Sequence, residues 1–327
     1  MSCRVSARRV SAVLALAVLL LLSACGPDLS KKTFARTTVP EASSPDAATD
    51  PKLAGDRMRK VDPCALLTRL GLDRYGETDG KPQMGTDFAE CSQPLKSKAA
   101  GGKSVSIDLG TSVSPSFTKL TDKISGLPAH EQSLSDCNET VLTDSRNQKG
   151  FQLSYSDDPE PEQSRCAAAR ALSKTVIEVL RTDPPPRTDT NSLALVDPCD
   201  LVDGGTVRGI VGSSPDASHI GLTQCKWTNA AFDLTVSLEI GDSTFVPKDK
   251  DVDLGNGVKA GQSGMSGVQG CAIEWLHKPD TGESEPGLGR KDEMVKVSVE
   301  DKKNSHADVC GKAIGAAKVV LPKLPQR

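Results

Sequence analysis

Three hydrophobic patterns divide the chain. The stretch 10–22 is uncharged and overwhelmingly apolar. It is shorter than the ~20 residues that a bilayer-spanning helix needs, and it has the length of a signal-peptide core. Elsewhere strict alternation appears, at Val105, Ile107 and Leu109 and again at Phe232, Leu234, Val236, Leu238 and Ile240. A period of two marks a strand with one buried face. Shorter strand-like runs fall at 88–93, 138–143, 151–155, 222–228, 271–277 and 294–299. The third pattern is helical. Phe117, Leu120, Ile124 and Leu127 suggest a helix. Ala169, Leu172, Val176 and Val179 predict a second, and Cys310, Ala313, Ile314, Ala317 and Leu321 a third. Asp62 and Asp197 are each followed by proline, as at helix N-termini, and Ala65, Leu66 and Leu67 continue the first of these.

The pattern occurs twice. Val61-Asp62-Pro63-Cys64-Ala65-Leu66 returns as Val196-Asp197-Pro198-Cys199-Asp200-Leu201. Cys91, Cys137 and Cys166 return in order as Cys225, Cys271 and Cys310, and Gly126-Leu127-Pro128-Ala129 returns as Gly257-Val258-Lys259-Ala260. Each copy reads as helix, two strands, crossover, two strands, helix. The expected fold class is α+β: two similar domains, each a small antiparallel sheet with helices packed on one face and two disulfides. The copies differ in the crossover, where the second has Pro247 and an Asp/Lys run. Expected boundaries are a signal peptide over 1–24, a disordered tether over 25–57 rich in Ser, Thr, Ala, Pro and Asp, a first repeat over 58–181, a stiff Pro-rich linker over 182–191, and a second repeat over 192–327.

Cysteine usage sharpens this picture. Arg4, Arg8 and Arg9 precede the apolar run, and Leu22-Ser23-Ala24-Cys25-Gly26 follows it. The last string resembles the bacterial lipobox, which implies lipid on Cys25, loss of Cys3 with the leader, and a chain anchored on the outer face of a membrane without crossing it. Arg8-Arg9 hints at twin-arginine export. Eight of the ten cysteines then remain. An even number in an exported chain reads as a disulfide framework, and four cysteines per domain permit three pairings. The favoured set is Cys64–Cys91, Cys137–Cys166, Cys199–Cys225 and Cys271–Cys310. A metal site would need close pairs such as C-x-x-C, and none occurs. Asp-Pro-Cys at a domain start, a second Cys in the first strand, the Gly-x-x-Ala turn and a Cys on the final helix resemble the actinobacterial lipoproteins grouped as domain of unknown function 3558. That resemblance implies a surface lipoprotein, with two copies where the family usually has one, and implies no activity.

Charge and composition exclude more than they identify. Loss of Arg4, Arg8 and Arg9 takes the net charge from −3 to about −6. This argues against nucleic acid and against electrostatic docking on anionic lipid. Aromatics are 3% of the chain, which leaves little for base or sugar stacking, and Trp227 and Trp275 fall in predicted strands as core residues. His130, His219, His277 and His306 occupy no repeated positions and read as surface or loop residues. Gly261-Gln262-Ser263-Gly264-Met265 misses the last glycine of a nucleophile elbow, and Ser116-Phe117-Thr118-Lys119 lacks the companion motifs of an S-x-x-K enzyme. Asp249, Asp251 and Asp253 begin like a calcium loop, but Leu254 and Ala260 stand where Gly and Glu are required. No catalytic residue and no cofactor are implied. The expected function is a membrane-anchored, non-catalytic binding or sensing module of the cell envelope, recognising an envelope protein or a small ligand. The alternatives are an envelope hydrolase with an unrecognised site and a solute-binding transport component.

Overall fold

Asp62 caps a helix of the first repeat in the expected way. Its carboxylate accepts from the N–H groups of Cys64 and Ala65 at 2.9 and 3.0 Å, and Pro63 supplies a pre-set first turn. The computed structural model describes residues 50–97, 102–114, 122–133, 135–145, 147–158, 160–245, 250–280, 291–305 and 307–326. The first repeat contains α1 (Gly55–Arg59), α2 (Pro63–Thr68), β1 (Gln83–Met84), β2 (Glu90–Leu95), β3 (Lys103–Ser112), β4 (Lys123–Ile124), β5 (Leu127–Ser133), β6 (Cys137–Asp144), β7 (Lys149–Asp157) and α3 (Glu162–Thr182). The second contains α4 (Gly204–Val211), β8 (Asp216–Ile220), β9 (Gln224–Thr228), β10 (Phe232–Gly241), β11 (Lys250–Gly255), β12 (Val258–Gly264), β13 (Gly270–Lys278), β14 (Asp292–Asp301) and α5 (Val309–Val320).

Each repeat builds one seven-stranded antiparallel sheet. The orders are β1-β2-β3-β7-β6-β5-β4 and β8-β9-β10-β14-β13-β12-β11, the same topology twice. The central pairs correspond: Ile107 stands opposite Leu153 and Val236 opposite Val297, all four buried. The long final helix lies on the middle of each sheet, α3 on β6 and β7, α5 on β13 and β14. Disulfides fix both ends of this layering. Cys64–Cys91 and Cys199–Cys225 tie the opening helical turn to the second strand, and Cys137–Cys166 and Cys271–Cys310 tie the final helix to the sheet. These are the four pairs favoured from the sequence. Trp227 and Trp275 are both buried.

Several expectations need correction. Four strands per repeat were read, and seven are present. Ile124 and Leu127 belong to a hairpin instead of a helix: Ser125 and Gly126 adopt positive φ of 49° and 88°, the two-residue turn that suits strand twist. Asn256 and Gly257 repeat it at 53° and 74°, so the duplicated Gly-x-x-Ala is a hairpin signature. The rest of that expected helix, with Ser116–Lys119, lies outside the described residues. Pro198–Leu201 is only a 3-10 turn, because Asp203 caps a new helix through Gly205 and Thr206 at 2.9 Å each. Residues 50–57 were expected in the tether, whose other residues, like the signal peptide, lie outside the described residues. Residues 50–57 fold onto the first repeat, with Leu53 fully buried and Asp50 paired to Arg181 at 2.7 Å. His277 is also buried, at the bulge of β13 between Leu276 and Lys278.

The linker is not a free spacer. Asp62 N–H donates to Pro185 O at 3.0 Å and Arg187 N–H to Lys60 O at 2.9 Å, so the proline segment lies as a short antiparallel ribbon beside the start of the first repeat. Both repeats belong to one compact unit, Asp46–Arg327.

A candidate site at the seam between the repeats

Two equivalent residues carry the seam. The register of Cys91 with Cys225 places Phe88 on Leu222. Phe88 is buried in the hydrophobic cluster of the second repeat, and Leu222 in that of the first. The exchange is reciprocal, as in an isologous dimer interface. Gly110 makes room for it: a Cβ there would lie 2.1 Å from Leu222 Cγ, and its φ of +79° also favours glycine.

Cations lock each inserted residue. Arg59 donates to Leu222 O, to Val196 O at 2.9 Å and to Asp197 at 3.3 Å. Arg187 donates to Phe88 O and, at 3.0 Å, to Arg59 O. Burial lowers the pKa of both guanidiniums, opposed for Arg59 by Asp197 and for Arg187 by Asp62. The duplicated aspartates therefore act twice: each caps a helical turn, and Asp197 pairs with Arg59 across the seam while the charge of Asp62 acts on Arg187. Lysines repeat the theme. Lys149 donates to His219 O at 2.6 Å, and Lys291 to Met84 O at 2.8 Å. His219 pairs with Cys225 as Met84 pairs with Cys91, so the two acceptors hold the same place.

Between these clamps runs a groove of about 630 Å³ shared by both repeats. Its first wall carries Thr86, Asp87, Asp108, Thr111 and Ser112, and its second carries Ile220, Thr223, Gln224, Ser237, Glu239 and Ile240. Thr223 donates to Asp87 at 2.7 Å and Ile240 N–H to Thr86 O at 3.1 Å, which fixes the walls relative to each other. The lining is rich in acceptors: three carboxylates, several hydroxyls and, among the described residues that line it, no cationic side chain. Burial pushes the Asp108 carboxyl up to about 6, with the neighbouring charge of Asp87 adding to the effect. Burial lowers Lys149, just outside the groove, to about 8, against the attraction of Asp108. Ile220 is 42% exposed at the rim, an apolar contact beside polar walls.

A smaller cavity of about 130 Å³ adjoins it, lined by Arg59, Asp197, His219 and Lys149 among others. His219 Nε2 lies 3.0 and 3.1 Å from the two Asp197 oxygens. Burial works to raise Asp197, but His219, the Cys199 N–H and Arg59 outweigh it and hold the carboxyl below its ordinary value. His219 was read from the sequence as a surface or loop residue, and nothing in its local pattern marks it. Only the fold brings it to a duplicated aspartate.

Two clusters have metal-like spacing among the described residues, Asp197-Cys199-His219 and Glu131-Cys137-Cys166. Their sulfurs are in disulfides and offer no thiolate. Asp249 lies outside the described residues. Asp251 and Asp253 stand on the extended strand β11, where Asp253 accepts from Gly255 N–H at 2.8 Å and closes the hairpin turn. A calcium loop wraps its ligands around the ion, which an extended strand does not do. Cys25 also lies outside the described residues. No helix among the described residues is long and apolar enough to cross a membrane.

No protein-family model matches the chain, and no curated protein matches it. Among solved structures, one similar chain is DynU16, a protein in the dynemicin biosynthetic locus, at 12% identity over 82% of this chain and 90% of that one. Its TM-score of 0.17 is too low to carry an argument about fold or function.

Proposed function

We propose that this chain is a lipid-anchored extracytoplasmic lipoprotein whose two repeats form one non-catalytic binding module, with its ligand seat in the groove between them. The observation that carries this reading is the acceptor-rich groove walled by both repeats. Three carboxylates and a row of hydroxyls without a lining cation suit a ligand that brings positive charge and N–H donors, such as an amine on a small solute or on an envelope component. The lipobox-like string ending at Cys25 supports the anchor, and four disulfides suit an oxidising compartment. The duplicated Asp-Pro-Cys and Gly-x-x-Ala motifs keep the resemblance to the domain of unknown function 3558 lipoproteins.

Calorimetric titration with a linear diamine tests the seat. Saturable binding, weakened by Asp108→Asn and by Glu239→Gln and absent for the matching diol, is expected. No heat from any amine at millimolar concentration overturns it.

Two other readings each have one observation in favour. A groove shared by two lobes also suits a solute-binding transport component, though buried arginines and exchanged core residues leave the lobes no hinge. An envelope hydrolase has the Ser112–Lys149 contact, 2.8 Å, with a desolvated lysine. That lysine also bonds a backbone carbonyl, as Lys291 does across the seam without a serine, so its arrangement is that of a clamp. Labelling of Ser112 by a fluorophosphonate would favour the hydrolase.

A further inference from the structure

The first repeat holds a polar cluster under its long helix that the second repeat lacks. Glu139 projects from β6 beneath α3 and is fully buried. Its Oε1 lies 3.5 Å from Arg170 on α3, the limit of a useful hydrogen bond, and its Oε2 meets no donor. Ser173, nearly one turn beyond Arg170 on α3, is also fully buried with its hydroxyl unpartnered. The register of Cys137 with Cys271 carries Glu139 onto Ile273, and that of Cys166 with Cys310 carries Arg170 and Ser173 onto Ile314 and Ala317. One fold thus solves the same helix–sheet seam twice, once with a carboxylate, a cation and a hydroxyl and once with three apolar side chains. The second solution shows that the architecture does not require the charges.

A buried carboxylate with one distant cation is costly when ionised, whereas a protonated carboxyl gains a donor and loses its charge. The groups facing Glu139 are few. Arg170 comes from α3, Glu131 from the adjacent β5 position, and Asp122 from the segment before β4. On β7 the opposite residue is Leu153, and the next inward residue, Tyr155, is engaged with Asp157 at 3.0 Å. His130 on β5 stands opposite Thr140, on the other face of the sheet.

We propose that Glu139, with Arg170, is a proton-operated latch of the first repeat: protonation closes the α3–sheet seam, and ionisation loosens it. Burial raises this carboxyl to about 7 from an ordinary 4.5; Arg170 opposes the rise, while Glu131 and Asp122 add to it. The folded chain therefore keeps a proton that the unfolded chain gives up between those values. Stability supplied by Glu139 is fully present below about 4.5, falls as pH rises through that window, and is gone above about 7.

The test uses the whole exported chain and reads thermal midpoints from pH 4.5 to 8.5 for the natural protein and Glu139→Gln. The variant is expected to match the natural protein at the acid end and to melt several degrees higher at the alkaline end. Parallel curves overturn the proposal. Arg170→Gln provides an independent check if the first variant does not fold. It removes the one favourable charge beside Glu139 along with contacts to Asp122 and to Lys123 O, so it should destabilise the chain more at pH 8 than at pH 5. An equal loss at both pH values overturns the proposal. Hydrogen exchange of α3 amides, corrected for intrinsic rate, should speed up in the natural protein between pH 5 and pH 8 more than in Glu139→Gln; an equal change overturns it.

Discussion

Phe88 and Leu222 sit at equivalent positions of the two repeats, and each is buried in the hydrophobic cluster of the other. The repeats therefore share their cores. Truncating either side chain removes packing from the opposite sheet. Phe88→Ala should cost about 3–5 kcal/mol and Leu222→Ala about 2–5 kcal/mol. Denaturant unfolding followed by fluorescence and by circular dichroism should remain one transition in the natural protein. Two separate transitions there would contradict shared cores.

Gly110→Ala should destabilise even though it adds a single methyl group. The new Cβ would fall 2.1 Å from Leu222 Cγ at a φ of +79°. Overpacking and left-handed strain together suggest a loss of about 2–4 kcal/mol. The double variant Gly110→Ala, Leu222→Ala should lose less than the sum of the two singles, and strict additivity would show that the methyl does not meet Leu222.

Removal of Arg59 leaves Asp197 with His219 as its remaining ionisable partner. Arg59→Met should cost about 3 kcal/mol, near the lower end for breaking a buried pair because Asp197 keeps part of its side chain in water. The pH dependence has a definite sign. Asp197 is held below its ordinary 3.8, so its contribution is present at neutral pH and is lost as acid protonates it below that value. Asp197→Asn should flatten this part of the acid limb in an equilibrium unfolding series.

Each disulfide closes a sequence separation of 26 to 39 residues. The chain-entropy relation gives about 3.5–4 kcal/mol for loops of this size. Paired Cys→Ser replacement at Cys271 and Cys310 should lower unfolding free energy by that amount, and non-reducing peptide mapping should find no bridge between the repeats.

Cys25→Ser should abolish incorporation of a fatty-acid probe and either leave the precursor unprocessed or release the chain from the membrane. Label retained on the variant would remove the anchor from the proposed function.

The sequence made the repeat, the disulfide framework and the eight long or central strands legible, because alternation and duplicated cysteines report directly on burial and cross-linking. The six other strands were not legible, including Leu127–Ser133 and Val258–Gly264, which run seven residues each inside their sheets. Gln83–Met84 and Lys123–Ile124 are too brief for any period, and Asp216–Ile220 is exposed along its whole length. Ile124 and Leu127 imitated the end of a helix because Ser125 is an unusual residue for the first place of a tight hairpin turn. The seam was invisible for a different reason. Phe88 and Leu222 each look like an ordinary inward residue, and a sequence does not say into which of two cores a side chain goes. Arg59, His219 and the groove residues come from both repeats, so no local spacing joins them.

The contacts of Asp50, Lys52 and Leu53 also have a mechanical meaning. Asp50 N–H bonds Thr143 O at 3.2 Å, the Asp50 carboxylate bonds Arg181 near the end of α3, Lys52 Nζ reaches Arg181 O, and Leu53 is buried beneath them. A pull arriving through the preceding chain would load β6 and the far end of α3 in shear before reaching the groove. Force would then be borne by the first repeat's stapled helix, and the groove between the repeats would stay outside the line of tension.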